Sequence, residues 1–451
     1  MIKISSPINL FLRNPLRVLN HIDLIERKLN IGKKWSLLWN SPQKWNDPKS
    51  FKVRNIVLDL QKSNIKAYDA ARQIEEANLK KGDIFEDLLT CYHTGLLEFH
   101  PTDVCDLSCK ECHYRNKENA TIPFYKVNQL LKGLAPRAIT VTGGGEPNVY
   151  MSESRNMNDL ILQIKKALPN TELGLINNNT HIPSGNWTKH VAWQRTSIDA
   201  CSRKTYFYLK GADKLDNAIE NVKRLLYDTS IPFIGIGFLY RRENIREIES
   251  FLVSWFEWYK NEDKTIQQRF NIQFRPISPS IEKVETIRKE EETFLGEDIE
   301  KGVDEEIIKV QTFANRNVAF QTFLANNTNF HSMIRTKEGA ISNSHFLHTP
   351  KNFNHCYNAL IHRVLRANGD EYPDFLLCNC PELKLGNTII NKQDEEKVKI
   401  ALMQFYYFNR ECAYCNGEIC RQGWVNQIIE NHLYGTIAQE EIVSVPQNYF
   451  F

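Results

Sequence analysis

Cysteine placement says most about chemistry in this chain of 451 residues. Cys105, Cys109 and Cys112 fall in one short segment, beginning at His100 and ending at Tyr114. Cys356, Cys378, Cys380, Cys412, Cys415 and Cys420 gather toward the C-terminus, and only Cys91 and Cys201 stand outside both groups. Eleven cysteines cannot all pair, and tightly spaced thiols in a reducing compartment read as metal or redox sites rather than disulfides. Three thiolates spaced Cys-x3-Cys-x2-Cys in one loop can reach three corners of an iron–sulfur cubane and leave the fourth iron open to a small molecule. The zinc alternative wants four closing ligands and would need His113 or His100 as the fourth.

A second motif, Thr142-Gly143-Gly144-Gly145-Glu146-Pro147, follows an apolar run. Consecutive glycines let backbone amides and carbonyls face a ligand without intervening side chains, and Glu146 adds a carboxylate acceptor. On its own such a run is a turn. It gains meaning at the carboxyl end of a strand next to the cysteine loop.

Together the two motifs resemble the radical S-adenosylmethionine (radical SAM) enzymes, over roughly residues 96 to 280. The resemblance implies that Cys105, Cys109 and Cys112 hold a [4Fe-4S] cluster whose open iron is chelated by the methionine amino and carboxylate groups of S-adenosylmethionine. It implies that Gly143, Gly144, Gly145, Glu146 and Pro147 contact the amino group. Asn178, within Asn177-Asn178-Asn179-Thr180, takes the place of a Thr-Asn-Gly-Thr-like turn, and Ser197 that of a serine touching the methionine carboxylate. Phe233 to Leu239, and the segment containing Asn271, Gln273 and Arg275, take the places of adenosine-contacting strands. Glu111 departs from the pattern, since the residue before the third cysteine is often aromatic.

In the C-terminal group, Asn368-Gly369 is a hairpin signal and Cys412-Ala-Tyr-Cys415 a Cys-x2-Cys loop, which together could build a four-thiolate site, with zinc as the alternative to iron and sulfur. The region is similar to the SPASM or twitch extension of radical SAM cores. That implies one auxiliary [4Fe-4S] cluster on Cys356, Cys378, Cys412 and Cys415, with Cys380 and Cys420 as competing ligands. Asp374 stands where that extension has a cysteine. Among the isolated thiols, Cys91 reads as a buried small hydrophobe. Cys201, just past Asp199 at a predicted strand end, could return a hydrogen atom to a product radical, against the plainer reading of a structural thiol.

These motifs need a scaffold. Short apolar runs at Leu96–Phe99, Ala138–Thr142, Glu172–Ile176, Gln194–Ile198, Phe233–Leu239 and Asn271–Ile277 predict strands. Amphipathic segments at Phe124–Leu134, Met157–Leu168, Lys204–Tyr227 and Ile245–Tyr259 predict the helices between them. Alternation of this kind gives an α/β fold with right-handed crossovers, and the resemblance makes it a partial (β/α)6 barrel with its chemistry at the carboxyl ends of the strands. The expected organisation is a helical N-terminal extension over 1–95, the core over 96–280, a charged and exposed helical connector over 281–340, and a small iron–sulfur domain over 341–451.

Composition fits a water-soluble protein, with 42% hydrophobic and 25% charged residues. A formal charge of +3 argues against a nucleic-acid partner, and no stretch approaches the ~18 apolar residues of a membrane span, so a cytoplasmic location is expected. The resemblance implies a flavodoxin- or ferredoxin-type electron donor and a substrate that is a ribosomal peptide, altered by epimerisation, thioether formation or carbon–carbon crosslinking. The alternatives are a small-molecule dehydrogenase acting on a sugar or alcohol, and a non-catalytic iron–sulfur protein. The glycine motif argues against the last.

Overall fold

The computed structural model describes residues 96–110, 112, 119–134, 136, 138–276, 297–330, 362–367, 374–377 and 384–387. The expected N-terminal extension, with Cys91, and all six C-terminal cysteines lie outside these residues.

Six parallel strands form the centre in chain order: β1 (Leu96–His100), β2 (Ala138–Val141), β5 (Glu172–Asn177), β6 (Trp193–Ser197), β7 (Phe233–Tyr240) and β8 (Phe270–Pro276). A two-stranded ribbon, β3 (Met151–Ser152) with β4 (Arg155–Asn156), follows β2. Beyond β1 the sheet continues with β9 (His362–Arg366), parallel to it, then antiparallel β10 (Asp374–Leu377) and β11 (Lys384–Asn387). The Asn368-Gly369 turn signal thus falls between two antiparallel strands, as predicted. The hairpin extends the central sheet, making seven parallel strands where six were expected, and Asp374 opens its second strand opposite Arg366.

The register explains why this sequence makes this sheet. Leu97, Phe99, Ile139, Val141, Leu173, Leu175, Ile234, Ile236, Phe238, Ile272 and Phe274 alternate along their strands, share one face and are buried. Helices cover that face: α1 (Val127–Leu134), α2 (Met157–Ala167), α3 (Arg203–Lys210), α4 (Leu215–Asp228) and α5 (Ile248–Tyr259), with short α6 (Lys264–Arg269) leading into β8. The opposite face carries Glu98, Thr140, Arg195, Ser197, Gly235, Gly237, Asn271, Gln273 and Arg275. A parallel sheet with one apolar and one polar, glycine-bearing face leaves the second face for something other than helix packing.

Two local readings are corrected. The single helix expected over Lys204–Tyr227 is two, because Gly211 adopts φ 72° and closes α3 in a left-handed cap. The connector is not an exposed helix: α7 (Glu297–Asn315) buries Val303, Val310 and Ala314, and α8 (Val318–Asn327) adds Phe320 and Phe323 to the core. Glu306 is fully buried in α7, where its Oε2 accepts the Glu249 amide at the first turn of α5 and its Oε1 lies 2.6 Å from Lys309 Nζ. No helix among the described residues is long and apolar enough to cross a membrane.

Candidate active site

Every predicted motif of the core follows the carboxyl end of a parallel strand. The cysteine loop follows β1, the glycine motif β2, the asparagine turn β5, and Asp199 β6. In such sheets this is the end where loops from different strands meet.

The first two loops are bonded directly. The Gly145 amide donates to the Thr102 carbonyl at 2.9 Å and the Glu146 amide to the Val104 carbonyl at 2.8 Å, so the glycine motif runs against the residues that lead into Cys105. The glycines permit this approach. A Cβ at Gly145 would overlap the Val104 backbone, and one at Gly144 would overlap the Asp103 carboxylate. Glu146 is 2% exposed, and its two oxygens take the amides of Asn148 (2.9 Å) and Asn178 (2.6 Å). Burial pushes its carboxyl up to about 8, against the pull of those two amides. Pro147 begins a 3₁₀ turn through Val149.

Asp106, between the first two cysteines, ties the loop to two further strand ends. It accepts hydrogen bonds from Asn178 Nδ2 at 2.7 Å, from the Thr180 hydroxyl, and from Lys214 Nζ at 2.9 Å. Burial opposes its ionisation, but these three donors hold its carboxyl below the usual range. On the other side of Cys109, the Ser108 and Lys110 amides donate to the Lys210 and Leu209 carbonyls at 3.0 and 2.9 Å. Those carbonyls belong to the last turn of α3, where a helix has no internal partner for them, so the cysteine loop caps α3. The Lys210 ammonium turns back under the loop to the Asp199 carboxylate.

Cys105 is exposed, Cys109 and Cys112 are half-buried, and none of the three is in a disulfide, with the Cys112 amide donating to the Cys109 carbonyl at 3.3 Å. Burial pushes the Cys109 thiol up, and the nearby Lys210 charge pulls it part of the way back. Among the described residues, no three Cys, His, Asp or Glu side chains converge as ligands of a single ion would. The thiolates of a cubane hold separate irons and need not converge, and three thiols within one loop are the donor set that such a cluster takes.

Ser197 ends β6 half-buried, beside Gly237 of β7. Gln273, on β8, is buried and accepts from Arg195 Nη1 at 2.6 Å. Cys201 lies on the helical side: its amide donates to Glu247 Oε2 at 2.7 Å, its thiol meets Ser254 of α5, and it packs against the apolar core. Sequence reasoning missed Asp106, Lys210 and Arg195. Only Asp106 had a signal, its place between two cysteines.

No protein-family model and no curated protein matches the chain. Solved structures with a similar fold include Streptococcus suis SuiB bound to S-adenosylmethionine, at 13% identity and TM-score 0.42, covering 79% of this chain and 82% of that one. Another is anSMEcpe with bound AdoMet and a Cp18Cys peptide, at 13% identity and TM-score 0.42, covering 74% and 87%. A third is BtrN in complex with AdoMet and 2-DOIA, at 11% identity and TM-score 0.32, covering 72% and 92%.

Proposed function

We propose that the chain is a radical SAM enzyme that modifies a ribosomal peptide. The observation that carries the chemistry is the pair of backbone hydrogen bonds, Gly145 to Thr102 and Glu146 to Val104, which lock a Cys-x3-Cys-x2-Cys loop against a Gly-Gly-Gly-Glu motif at the ends of adjacent parallel strands. In this reading Cys105, Cys109 and Cys112 hold a [4Fe-4S] cluster. Bound together, the reduced cluster and S-adenosylmethionine supply one-electron cleavage to methionine and a 5′-deoxyadenosyl radical that takes hydrogen from a substrate carbon.

The chain's own residues do the positioning. The backbone of Gly143 to Gly145 would receive the methionine amino group, and Glu146 holds that loop to the Asn178 turn. Asp106 and the α3 cap fix the cysteine loop from two sides, so that the thiolates are presented without rearrangement. Ser197, at the end of β6, would meet the methionine carboxylate.

An auxiliary cluster on Cys356, Cys378, Cys412 and Cys415 is part of the proposal, supported by the β9–β10 hairpin that ends immediately before Cys378. The electron donor is a flavodoxin or ferredoxin. The test is direct: anaerobically reconstituted protein given dithionite and S-adenosylmethionine should form 5′-deoxyadenosine, and the Cys105→Ala variant should form none. Absence of the product from the unaltered protein would overturn the reading. Mass change in a short peptide encoded beside the gene tests the substrate class.

A further inference from the structure

Tyr206 lies on the buried face of α3, one turn before the Leu209 and Lys210 carbonyls that the cysteine loop caps. The loop is pressed onto that end of the helix. Ser108 and Lys110, on either side of Cys109, supply the capping amides, and a Cβ at Gly211 would overlap the Ser108 carbonyl at 2.7 Å. On the outer face of α3, Lys110 hydrogen-bonds the Tyr208 hydroxyl, with its Nζ 4.1 Å from the ring centroid. Cys109 is thus held against the helix that carries Tyr206.

Tyr206 is fully buried, and its hydroxyl has no hydrogen-bond partner among the described residues. Burial pushes that hydroxyl above the usual phenol range, and the nearby groups that add to the shift are Cys109 first, then Asp199, Asp106 and Glu146. The phenol therefore stays protonated and can donate. The three carboxylates around it are already engaged. Asp199 takes the Lys210 ammonium and the Leu239 amide; Asp106 takes Asn178, Thr180 and Lys214; Glu146 takes the Asn148 and Asn178 amides. That leaves the Cys109 corner as the acceptor, and a buried donor is costly until one is found.

We propose that the Tyr206 hydroxyl donates a hydrogen bond to a sulfur of the [4Fe-4S] cluster at its Cys109 corner and so raises the potential at which the cluster takes up its electron. Reduction adds negative charge to the sulfurs, and a fixed donor aimed at them stabilises the reduced form. The proposal rests on the radical SAM reading in placing a cluster on Cys109.

The experiment is Tyr206→Phe, which removes the hydroxyl and keeps the ring. In the reconstituted full-length chain, an EPR-monitored redox titration is followed on the signal that S-adenosylmethionine alters. The variant should be harder to reduce by about tenfold in the one-electron equilibrium constant, which is ~59 mV. Electron–nuclear double resonance of the reduced cluster in deuterated water should show an exchangeable deuteron in the parent that the variant lacks, read on whatever fraction carries cluster. In the metal-free chain the same variant should melt at or above the parent's temperature, because it loses a group without a partner. A midpoint unshifted or raised at equal iron content, the same deuteron in both proteins, or a metal-free variant that melts below the parent would each overturn the proposal, the last because the hydroxyl would then have its partner without the cluster. Assaying 5′-deoxyadenosine on the same samples keeps the two readings apart. An unshifted midpoint with normal cleavage sinks the hydrogen bond alone, a shifted midpoint without cleavage sinks the enzyme alone, and a parent that assembles no cluster sinks both.

Discussion

Lys210 and Asp199 form a buried ion pair, Nζ to Oδ2 at 2.5 Å, at the point where the cysteine loop, α3 and the end of β6 meet. Asp199 is committed on every side. Its other oxygen accepts the Leu239 amide at 2.6 Å, its carbonyl accepts from Asn244 Nδ2 at 2.8 Å, and its backbone sits at φ 59°. Lys210→Met would leave that carboxylate buried and uncompensated, at a cost of about 3–5 kcal/mol. Chemical denaturation should find the loss, and Asp199→Asn in the Lys210→Met background should recover part of it. A loss below about 1 kcal/mol would mean the pair contributes little.

Glu146 gives a stability signature with a definite sign. Burial raises its carboxyl from 4.5 to about 8 in the folded chain. Between those values the folded state holds a proton that the unfolded state has released, so this group's contribution is present below about 4.5 and is lost as pH rises toward 8. The slope is roughly 1.4 kcal/mol per pH unit. Glu146→Gln removes the titration but turns an amide toward the Asn148 and Asn178 N–H groups, a cost of about 1–3 kcal/mol. The variant should therefore be less stable than the parent at pH 5, and because the parent loses about 4 kcal/mol from pH 5 to pH 8 at that slope, the order should reverse before pH 8. A gap independent of pH would contradict the raised value.

Gly145→Ala should separate the two motif loops. The added methyl overlaps the Val104 backbone, which cannot rotate away, and the Glu146 to Val104 hydrogen bond is the first to go. We expect circular dichroism close to the parent's with several-fold less iron retained after reconstitution. Gly237→Ala should cost under about 1 kcal/mol, since its methyl would meet Arg195 at ordinary contact distance.

Iron content should follow the cysteines. The parent should carry about eight irons and eight sulfides per chain, and joint alanine replacement of Cys356, Cys378, Cys412 and Cys415 about four. Bound zinc in the parent would remove the auxiliary cluster from the proposal. Assembly should also release protons, because burial keeps the Cys109 thiol protonated in the metal-free chain. Cluster formation should thus become more complete as pH rises, which absorbance near 400 nm can follow.

The strands and the meeting of the two motif loops were legible because strand periodicity and motif spacing are local properties. Elements that depend on distant partners were not. In α7 the apolar stripe of Val303, Ile307, Val310 and Ala314 runs at spacings of four, three and four, yet charged neighbours hide it until the helix is laid on the core. Glu306, buried against the start of α5, reads in the sequence as one more solvated acid. The Arg195–Gln273 contact requires the register of three strands, two of them beyond the reach of any local pattern.

The strand β1 that leads into the cysteine loop is flanked on one side by β2 and on the other by β9, with Arg366 set 3.6 Å from Asp103 and the Ala367 amide on the His100 carbonyl. During synthesis the ribosome must therefore deliver most of the polypeptide before β1 is paired on both edges. Until then the nascent chain displays an open, apolar strand edge beside reactive thiols, a state prone to intermolecular pairing. Slow translation or missing chaperones should penalise this protein most in that interval, and a product terminated ahead of residue 362 should aggregate through β1.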